Sequence, residues 1–280
     1  MELLHYRIYS QDGTISHERP VMVFLHGLGG SSAIWLRQVH VLRKNYDLVL
    51  IDMPSHGKST VKLSQMELSF EAITQKIFAV LEHLEIKKAT FIGCSMGTMF
   101  VKYILLTRPE AVDKFILIGG MGEYQQWFHT GIRFMIVALP VLPLSTCCQV
   151  VARMIIPSKD QEYSRKLFLS CAKHVPKEEM ICWLKILDLF PPVQRMYLRK
   201  MPVGPKGLYI TGVGDQVFRN TMQNEWNILA RCVMLDNCGH VCNVDRPHEV
   251  NRLISAFQDG KLLADRIPGG RILIDDLVQT

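Results

Sequence analysis

Ser95 stands where an apolar run ends and a helical pattern begins, between two glycines. The stretch that starts at Ala89 reads ATFIGCSMGTMFVKYILL, with Gly93 and Gly97 two residues before and after the serine. Glycines at these positions permit a turn that is too sharp for side chains. A strand–turn–helix of this kind presents the serine hydroxyl above a sheet and directs the positive end of the helix at it. We therefore predict that Ser95 is a nucleophile.

Two residues downstream have the types that activate a serine, whose hydroxyl is a poor nucleophile until a base removes its proton. Asp215 follows the apolar run in GLYITGVGD, and His240 follows the next one in RCVMLDNCGH. Residues at the C-terminal ends of strands share the edge of an α/β sheet where ligands bind. We predict that His240 accepts the Ser95 proton through Nε2, while Asp215 orients the imidazole.

A glycine-rich loop supplies a candidate site for the negative charge that forms during acyl transfer. The segment HGLGG, which begins at His26, directly follows another apolar run. Its glycines let the backbone bend so that an amide points into the site. We predict an oxyanion hole formed by the backbone N–H groups of Leu28 and Met96, with His26 organising the loop and not acting as the base.

Short apolar runs alternate with amphipathic stretches along most of the chain. The runs end in glycine or a small polar residue, as strands do in a parallel sheet covered on both faces. Six runs begin at Val21, Asp47, Ala89, Lys114, Gly207 and Arg231. The stretches SFEAITQKIFAVLEHL, with Ser69 as its N-cap, and EVNRLISAFQDG have helical spacing. This alternation predicts an α/β fold, a mostly parallel sheet flanked by helices.

The alternation stops between residues 122 and 201, a segment rich in Met, Phe, Leu and Pro that has no clear strand. We interpret it as a helical insertion into a core formed by residues 1–121 and 202–280. The tail after Gly260 permits two interpretations. Its RILIDDLV stretch is either an added edge strand or part of a loosely attached end.

Composition argues against several classes of partner. The net charge is +6, but the Lys and Arg residues are scattered, so we expect no nucleic-acid partner. Eight cysteines in a chain without a recognisable leader favour reduced thiols in the cytoplasm. Zinc-type ligand spacing is absent around Cys238 and Cys242, so no metal is expected. The segment IRFMIVALPVLPL is too short to span a bilayer. Attachment of this segment to a membrane surface stays open but is the less favoured alternative, because a basic face beside it is missing.

Five motifs together resemble the single-domain α/β-hydrolase superfamily, specifically its small carboxylesterase-like branch. They are HGLGG, DMPSHGKS, GCSMG, GVGD and the GH at Gly239, and the resemblance runs from about Val21 to Ala256. The order Ser, Asp, His is the order in that superfamily. The resemblance implies an α/β-hydrolase fold with a helical cap over the site, and mainly structural roles for Asp52, Gly57 and Ser59. Thr98 departs from the pattern, because many relatives carry a second glycine there.

This resemblance implies a serine hydrolase without a cofactor, and our leading hypothesis is hydrolysis of carboxylic esters of small hydrophobic acyl groups. Carbon–carbon bond hydrolysis, thioester cleavage, acyl transfer and a receptor role without turnover remain open. The protein is expected to be a monomer or homodimer without integral membrane contact. Cap residues that either line an acyl pocket or only pack the cap are Trp127, Phe128, Phe134, Met135, Ile136 and Leu139.

Overall fold

The computed structural model describes residues 2–16, 18–123, 125–200, 206–218, 221, 229–261 and 270–275. Within these residues eight strands form one sheet, and all six predicted runs are among them. The strands are β1 (Tyr6–Tyr9), β2 (Val21–Leu25), β3 (Asp47–Ile51), β4 (Ala89–Cys94), β5 (Val112–Ile118), β6 (Lys206–Gly212), β7 (Leu229–Leu235) and β8 (Gly270–Asp275). The sequence analysis did not predict β1.

The sheet has the order β1-β3-β2-β4-β5-β6-β7-β8. Neighbours from β3 to β7 run parallel, whereas β1 and β8 pair antiparallel at the two edges. Leu25 at the end of β2 is in register with Gly93 of β4, so the loops that follow these strands start side by side. Of the two interpretations of the tail, the edge strand is observed. Residues 262–269 and 276–280 lie outside the described residues.

Helices cover both faces of the sheet. Side chains of β2 alternate between two buried clusters, with Met22 and Phe24 facing one and Val23 and Leu25 the other. This alternation explains why the inner strands are apolar at every position. The helices are α1 (Leu36–Leu42), α2 (Phe70–His83), α3 (Met96–Thr107), α4 (Gln126–Ala138), α5 (Leu144–Ile155), α6 (Glu162–Ala172), α7 (Lys177–Asp188), α8 (Phe190–Lys200), α9 (Cys242–Asp245) and α10 (Pro247–Gln258).

Local signals account for where α2 and α10 begin and end. The Ser69 side chain accepts a hydrogen bond from the amide of Ala72, as expected for the N-cap of α2. Helix α10 ends at Gln258, two residues before Gly260, whose φ is +67°. A glycine in this conformation just after a helix is a common stop signal, because other residues adopt it at a cost.

Helices α4 to α8 lie between β5 and β6, within the segment interpreted as an insertion, and we call them the cap. Trp183 Nε1 of α7 donates to the carbonyl oxygen of Pro54 at 3.0 Å, and Glu179 accepts from Ser55 at 2.5 Å. The cap is therefore attached through the loop after β3. Its boundaries as a domain stay a prediction, and Met201 is outside the described residues. Among the described helices, none is long and apolar enough to cross a membrane.

Helix α3 approaches β2 closely at Gly97, so a substitution of this glycine tests how tightly the helix packs on the strand. A methyl group there would overlap the carbonyl oxygen of Leu25. We expect Gly97→Ala to lower the free energy of unfolding by about 3 kcal/mol through overpacking. The measurement is chemical unfolding followed by circular dichroism. Gly131→Ala is the matched control, since an added methyl meets nothing within 4 Å and a helical alanine stabilises by up to about 1 kcal/mol. An unchanged midpoint for Gly97→Ala would contradict the packing.

Candidate active site

Ser95 occupies the sharp turn between β4 and α3 with a strained backbone, φ 52° and ψ −120°. Only glycine fits at the two flanking positions, because a side chain there would overlap neighbouring backbone atoms. A Cβ on Gly93 would lie 2.6 Å from the carbonyl carbon of Gly97. Thr98, the departure from the family pattern, donates its hydroxyl to the Ser95 carbonyl at 2.6 Å and thereby braces the turn.

Of the three residues predicted to act together, His240 lies within hydrogen-bond distance of both others. His240 Nε2 is 2.8 Å from Ser95 Oγ, and His240 Nδ1 is 2.8 Å from Asp215 Oδ2. The second carboxylate oxygen of Asp215 accepts from the Phe218 amide at 3.0 Å. Because the carboxylate can only accept, Nδ1 carries the proton, and Nε2 is left to accept from the serine. His240 and Asp215 are each 1% exposed, so bulk water does not compete for the bond between them.

Leu28 and Met96, the predicted oxyanion-hole residues, both line the cavity onto which Ser95 opens. Met96 is the first residue of α3, where a backbone N–H has no acceptor within the helix. Gly27 lets the preceding loop come close, since a Cβ on it would lie 3.0 Å from Ser95 Cβ. The arrangement suits stabilisation of negative charge beside Ser95, and the roles of the two amides stay a prediction.

The His26 ring is hydrogen-bonded to the glycine-rich loop and to the segment that follows β3. Its Nδ1 donates to the Gly27 carbonyl at 2.8 Å, and its Nε2 accepts from the Met53 amide at 3.0 Å. The ring is completely buried, and burial lowers its pKa. A neutral imidazole with both nitrogens in use can organise the loop, but it is not available to act as a base.

His56, to which the sequence analysis gave no role, supports the same loop from a second side. Its Nδ1 donates to the Pro54 carbonyl at 2.9 Å, and its Nε2 accepts from the Gly29 amide at 2.9 Å. Burial, together with the neighbouring His26, lowers its pKa to about 3. The histidine in DMPSHGKS was visible, but its partner lies 27 positions away and no local pattern identified it.

Asp52, Gly57 and Ser59, which were expected to be structural, belong to the segment after β3 that also carries His56. Asp52 accepts from the amides of Ser32 at 2.6 Å and Lys58 at 3.0 Å. Burial raises its pKa, but these hydrogen bonds outweigh burial, and the net pKa is lowered. Gly57 has φ 57° and a position where a Cβ would overlap the Asp52 carboxylate.

An apolar cavity of 290 Å³ lies between the cap and the edge of the sheet that carries Ser95 and His240. It includes the four cap residues Trp127, Phe128, Phe134 and Met135. Trp127 and Phe134 are 50% and 65% exposed, which puts them at the mouth. The other members of the lining are Leu28, Ser95, Met96, Met121, Gly131, Ile132, Val150, Val151, Met154, Ile155, Phe168, Leu184, Leu187, Phe218 and His240.

Ile136 and Leu139, the two other candidates for the acyl pocket, do not line the cavity. Leu139 is buried in the core cluster that also holds Val23, and Ile136 packs against that cluster. For these two the packing interpretation describes the structure. A larger open groove near Thr90 and Gln258 lies at the opposite edge of the sheet, where the strands begin, and contains none of the candidate site residues.

Asp245 joins the cap to the loop that carries His240, a link that sequence reasoning missed. Its Oδ2 accepts from the Gly239 amide at 3.1 Å and from Gln161 Nε2 at 3.2 Å, while Oδ1 accepts from the Ser164 hydroxyl. Gln161 and Ser164 belong to the cap and are more than 80 positions away. The cap therefore contacts the backbone immediately before the histidine.

Cys238 and Cys242, on either side of His240, bond to nearby carbonyl oxygens. Cys242 Sγ donates to Gly239 at 3.2 Å and Cys238 Sγ to Leu235 at 3.7 Å. A hydrogen bond with Cys238, together with burial, raises the pKa of the Cys242 thiol well above its usual range. In the part of the chain that the structure describes, no three His, Cys, Asp or Glu side chains converge as metal ligands would.

The buried histidines predict a stability that depends on pH. Because the folded pKa of His56 is about 3 against 6.5 for a free histidine, only the unfolded chain takes up a proton between these values. Stability is therefore complete above about pH 6.5 and falls on acidification, by about 1.4 kcal/mol per pH unit for one such group. We expect His56→Gln to reduce this slope in urea unfolding between pH 5 and pH 6.5. The exposed His40→Asn is the control, and an equal slope in both variants would refute the assignment.

Comparison with known proteins agrees with the architecture. Residues 20–146 match the family model for the alpha/beta hydrolase fold. Protein ABHD8 from Bos taurus is 33% identical over 256 residues, which cover 85% of this chain and 55% of the relative. The chain thus spans about half the length of that relative.

Two further relatives extend over most of the chain. Monoacylglycerol lipase ABHD6 from Homo sapiens is 26% identical, covering 89% of this chain and 78% of the relative. The crystal structure of the enol-lactonase from Burkholderia xenovorans LB400 superposes with a TM-score of 0.77 at 17% identity, covering 91% of this chain and 96% of that one. At that identity the likeness concerns the fold alone. Taken with the serine turn, the sheet order and the matched family model, these similarities show that the chain has the α/β-hydrolase fold.

Proposed function

We propose that this protein hydrolyses carboxylic esters of small hydrophobic acyl groups through an acyl-serine intermediate. The observation that carries the proposal is the chain of hydrogen bonds from Asp215 through His240 to Ser95, which ends at an apolar cavity. The similarity to a protein named monoacylglycerol lipase, over 89% of this chain, supports an ester as the bond that is cleaved here.

In the first half of the reaction Ser95 Oγ attacks the ester carbonyl carbon while His240 Nε2 takes the hydroxyl proton. The carbonyl oxygen becomes an oxyanion, which the amides of Leu28 and Met96 and the N-terminus of α3 stabilise. Collapse of this intermediate breaks the bond to the alcohol oxygen. His240 gives that oxygen its proton, the alcohol leaves, and the acyl group stays on Ser95.

In the second half a water molecule takes the place of the alcohol. His240 removes its proton, the resulting hydroxide attacks the acyl carbon, and collapse returns the proton to Ser95 Oγ as the carboxylic acid departs. Asp215 keeps the imidazole in the required tautomer and stabilises the imidazolium that forms twice in each cycle. The residues named here suffice for hydrolysis without a cofactor.

Cavity size and lining support the substrate class. The volume of 290 Å³ is at the lower end of the usual range for ligand pockets, about 300–1,000 Å³. The side chains around it are hydrophobic except at Ser95 and His240, so a charged or sugar-like acyl group would lose its hydration without gaining partners.

The eight cysteines are free thiols in the structure, which supports the expected reducing compartment, the cytoplasm.

Replacing the nucleophile tests the proposal directly. We expect Ser95→Ala to reduce turnover of p-nitrophenyl butyrate by about a thousandfold or more, because the acyl intermediate cannot form. Labelling by a fluorophosphonate probe should disappear with it. Ser145→Ala, on the exposed side of α5, is the control and should keep both activities. Labelling of the unsubstituted protein without measurable turnover of any ester would favour a receptor and reject the hydrolase.

A second substitution tests the role of the cavity. Val151 lines its wall, so Val151→Phe fills space that a longer acyl chain needs. We expect kcat/KM for p-nitrophenyl octanoate to fall about tenfold relative to the acetate ester. Val137→Phe adds the same side chain on the exposed face of α4 and should leave the ratio unchanged. Equal ratios in the two variants would place the acyl chain elsewhere.

A further inference from the structure

Exposed apolar side chains concentrate on one part of the cap. Seven large ones lie on α4, on α5 and in the turn between them, each at least 40% exposed. We call them the cap apolar face: Trp127, Phe134, Val137, Val141, Leu142, Val150 and Met154. Val137 and Val141 are 76% and 81% exposed. Monomeric proteins seldom leave so many neighbouring apolar side chains in water unless they contact a partner or a membrane.

This face surrounds the mouth of the active-site cavity. Trp127 and Phe134 of α4, together with Val150 and Met154 of α5, belong both to the face and to the cavity lining. Apolar surface therefore continues from the outside of the cap towards Ser95. An acyl chain held against these four side chains would already lie against part of the cavity lining.

Positive charge accompanies the face. Residues 122–200 contain eleven Lys and Arg residues against six Asp and Glu residues, which is +5 of the chain's net charge of +6. Arg153 is exposed beside Met154 on α5. Lys177 of α7 donates to the carbonyl oxygen of Pro140, in the turn next to Val141, at 2.8 Å. Arg133 lies on α4 and forms an ion pair with Asp188, with 2.9 Å between Arg133 Nε and Asp188 Oδ1.

In the fold, a basic side chain that is distant in sequence lies beside the IRFMIVALPVLPL segment. The cation next to its exposed turn comes from Lys177, 37 positions away from Pro140. An amphipathic surface binds the membrane interface when buried apolar side chains and basic residues act together. The folded cap adds Lys177 and Arg153 to Arg133, the one basic residue of the linear segment, which is paired with Asp188.

We infer that the cap apolar face docks on an anionic lipid surface, with the cavity mouth directed at the acyl chains. A second copy of the chain is the competing occupant. A symmetric dimer through this face would bring two net-positive caps together, which is electrostatically unfavourable. An anionic lipid surface instead complements the charge while it covers the exposed side chains.

Sedimentation with lipid vesicles tests this inference. The Ser95→Ala protein is mixed with phosphatidylcholine vesicles that either contain or lack phosphatidylserine. We expect binding to the anionic vesicles that weakens as salt rises. The double variant Val137→Glu with Val141→Glu should bind these vesicles at least about tenfold more weakly than the protein without the two substitutions, because charged groups replace apolar ones at the interface. Lys177→Gln should weaken binding to the anionic vesicles about fivefold.

Val41→Glu is the matched control, because Val41 is an exposed valine on α1, outside the cap. It should bind vesicles as the unsubstituted protein does. With Ser95 intact, the double variant should still hydrolyse p-nitrophenyl acetate, since neither Val137 nor Val141 lines the cavity. The binding assay needs no turnover, so its outcome is independent of the proposed ester hydrolysis.

Two outcomes would overturn the inference. One is that the unsubstituted protein binds neither kind of vesicle, or that the double variant binds as well as the control. The other is a concentration-dependent dimer in analytical ultracentrifugation that the double variant loses, without vesicle binding by either form. That result would assign the cap apolar face to a second copy of the chain.

Discussion

The site depends on a strained turn that the surrounding backbone holds in place. Ser95, with φ 52°, has a conformation that a residue with a side chain adopts only when its neighbours impose it. The Ser95 amide donates to Ile118 of β5 at 2.9 Å, and Thr98 holds the Ser95 carbonyl. Gly97 lets α3 press against β2. Three neighbouring strands and one helix therefore determine where the hydroxyl points, and the other site residues are arranged around that position.

The glycine-rich loop beside this turn is supported largely by neutral polar groups. His26 and His56 are buried with their rings 5.1 Å apart, and each uses both nitrogens in hydrogen bonds to backbone. Burial keeps them uncharged, so the glycine-rich loop gains fixed partners without the cost of a buried charge. Pro54 links this support to the cap, since its carbonyl accepts from both His56 and Trp183. Loop geometry and cap attachment thus share one cluster.

The cap combines two kinds of contact that have different consequences. Polar side chains attach it to the loops of the site, through Glu179 near β3 and through Asp245 next to Gly239. Its apolar side chains enclose the cavity and continue onto the outer surface. Because Asp245 bonds to the backbone just before His240, a movement of α6 would also move the loop that carries His240. The cap that encloses the cavity is therefore physically connected to the hydrogen-bonded group of Ser95, His240 and Asp215.

The sequence by itself determined six of the eight described strands and the turn at Ser95. It also placed Asp215 and His240 near each other, because parallel strands bring the residues after their C-terminal ends to one edge. It did not predict β1, a four-residue edge strand. The link through Asp245 and the cation beside Val141 were decided only by tertiary structure. Their partners lie tens of positions apart, and hydrogen bonds and charge proximity depend on distance in space, which local spacing in a chain does not encode.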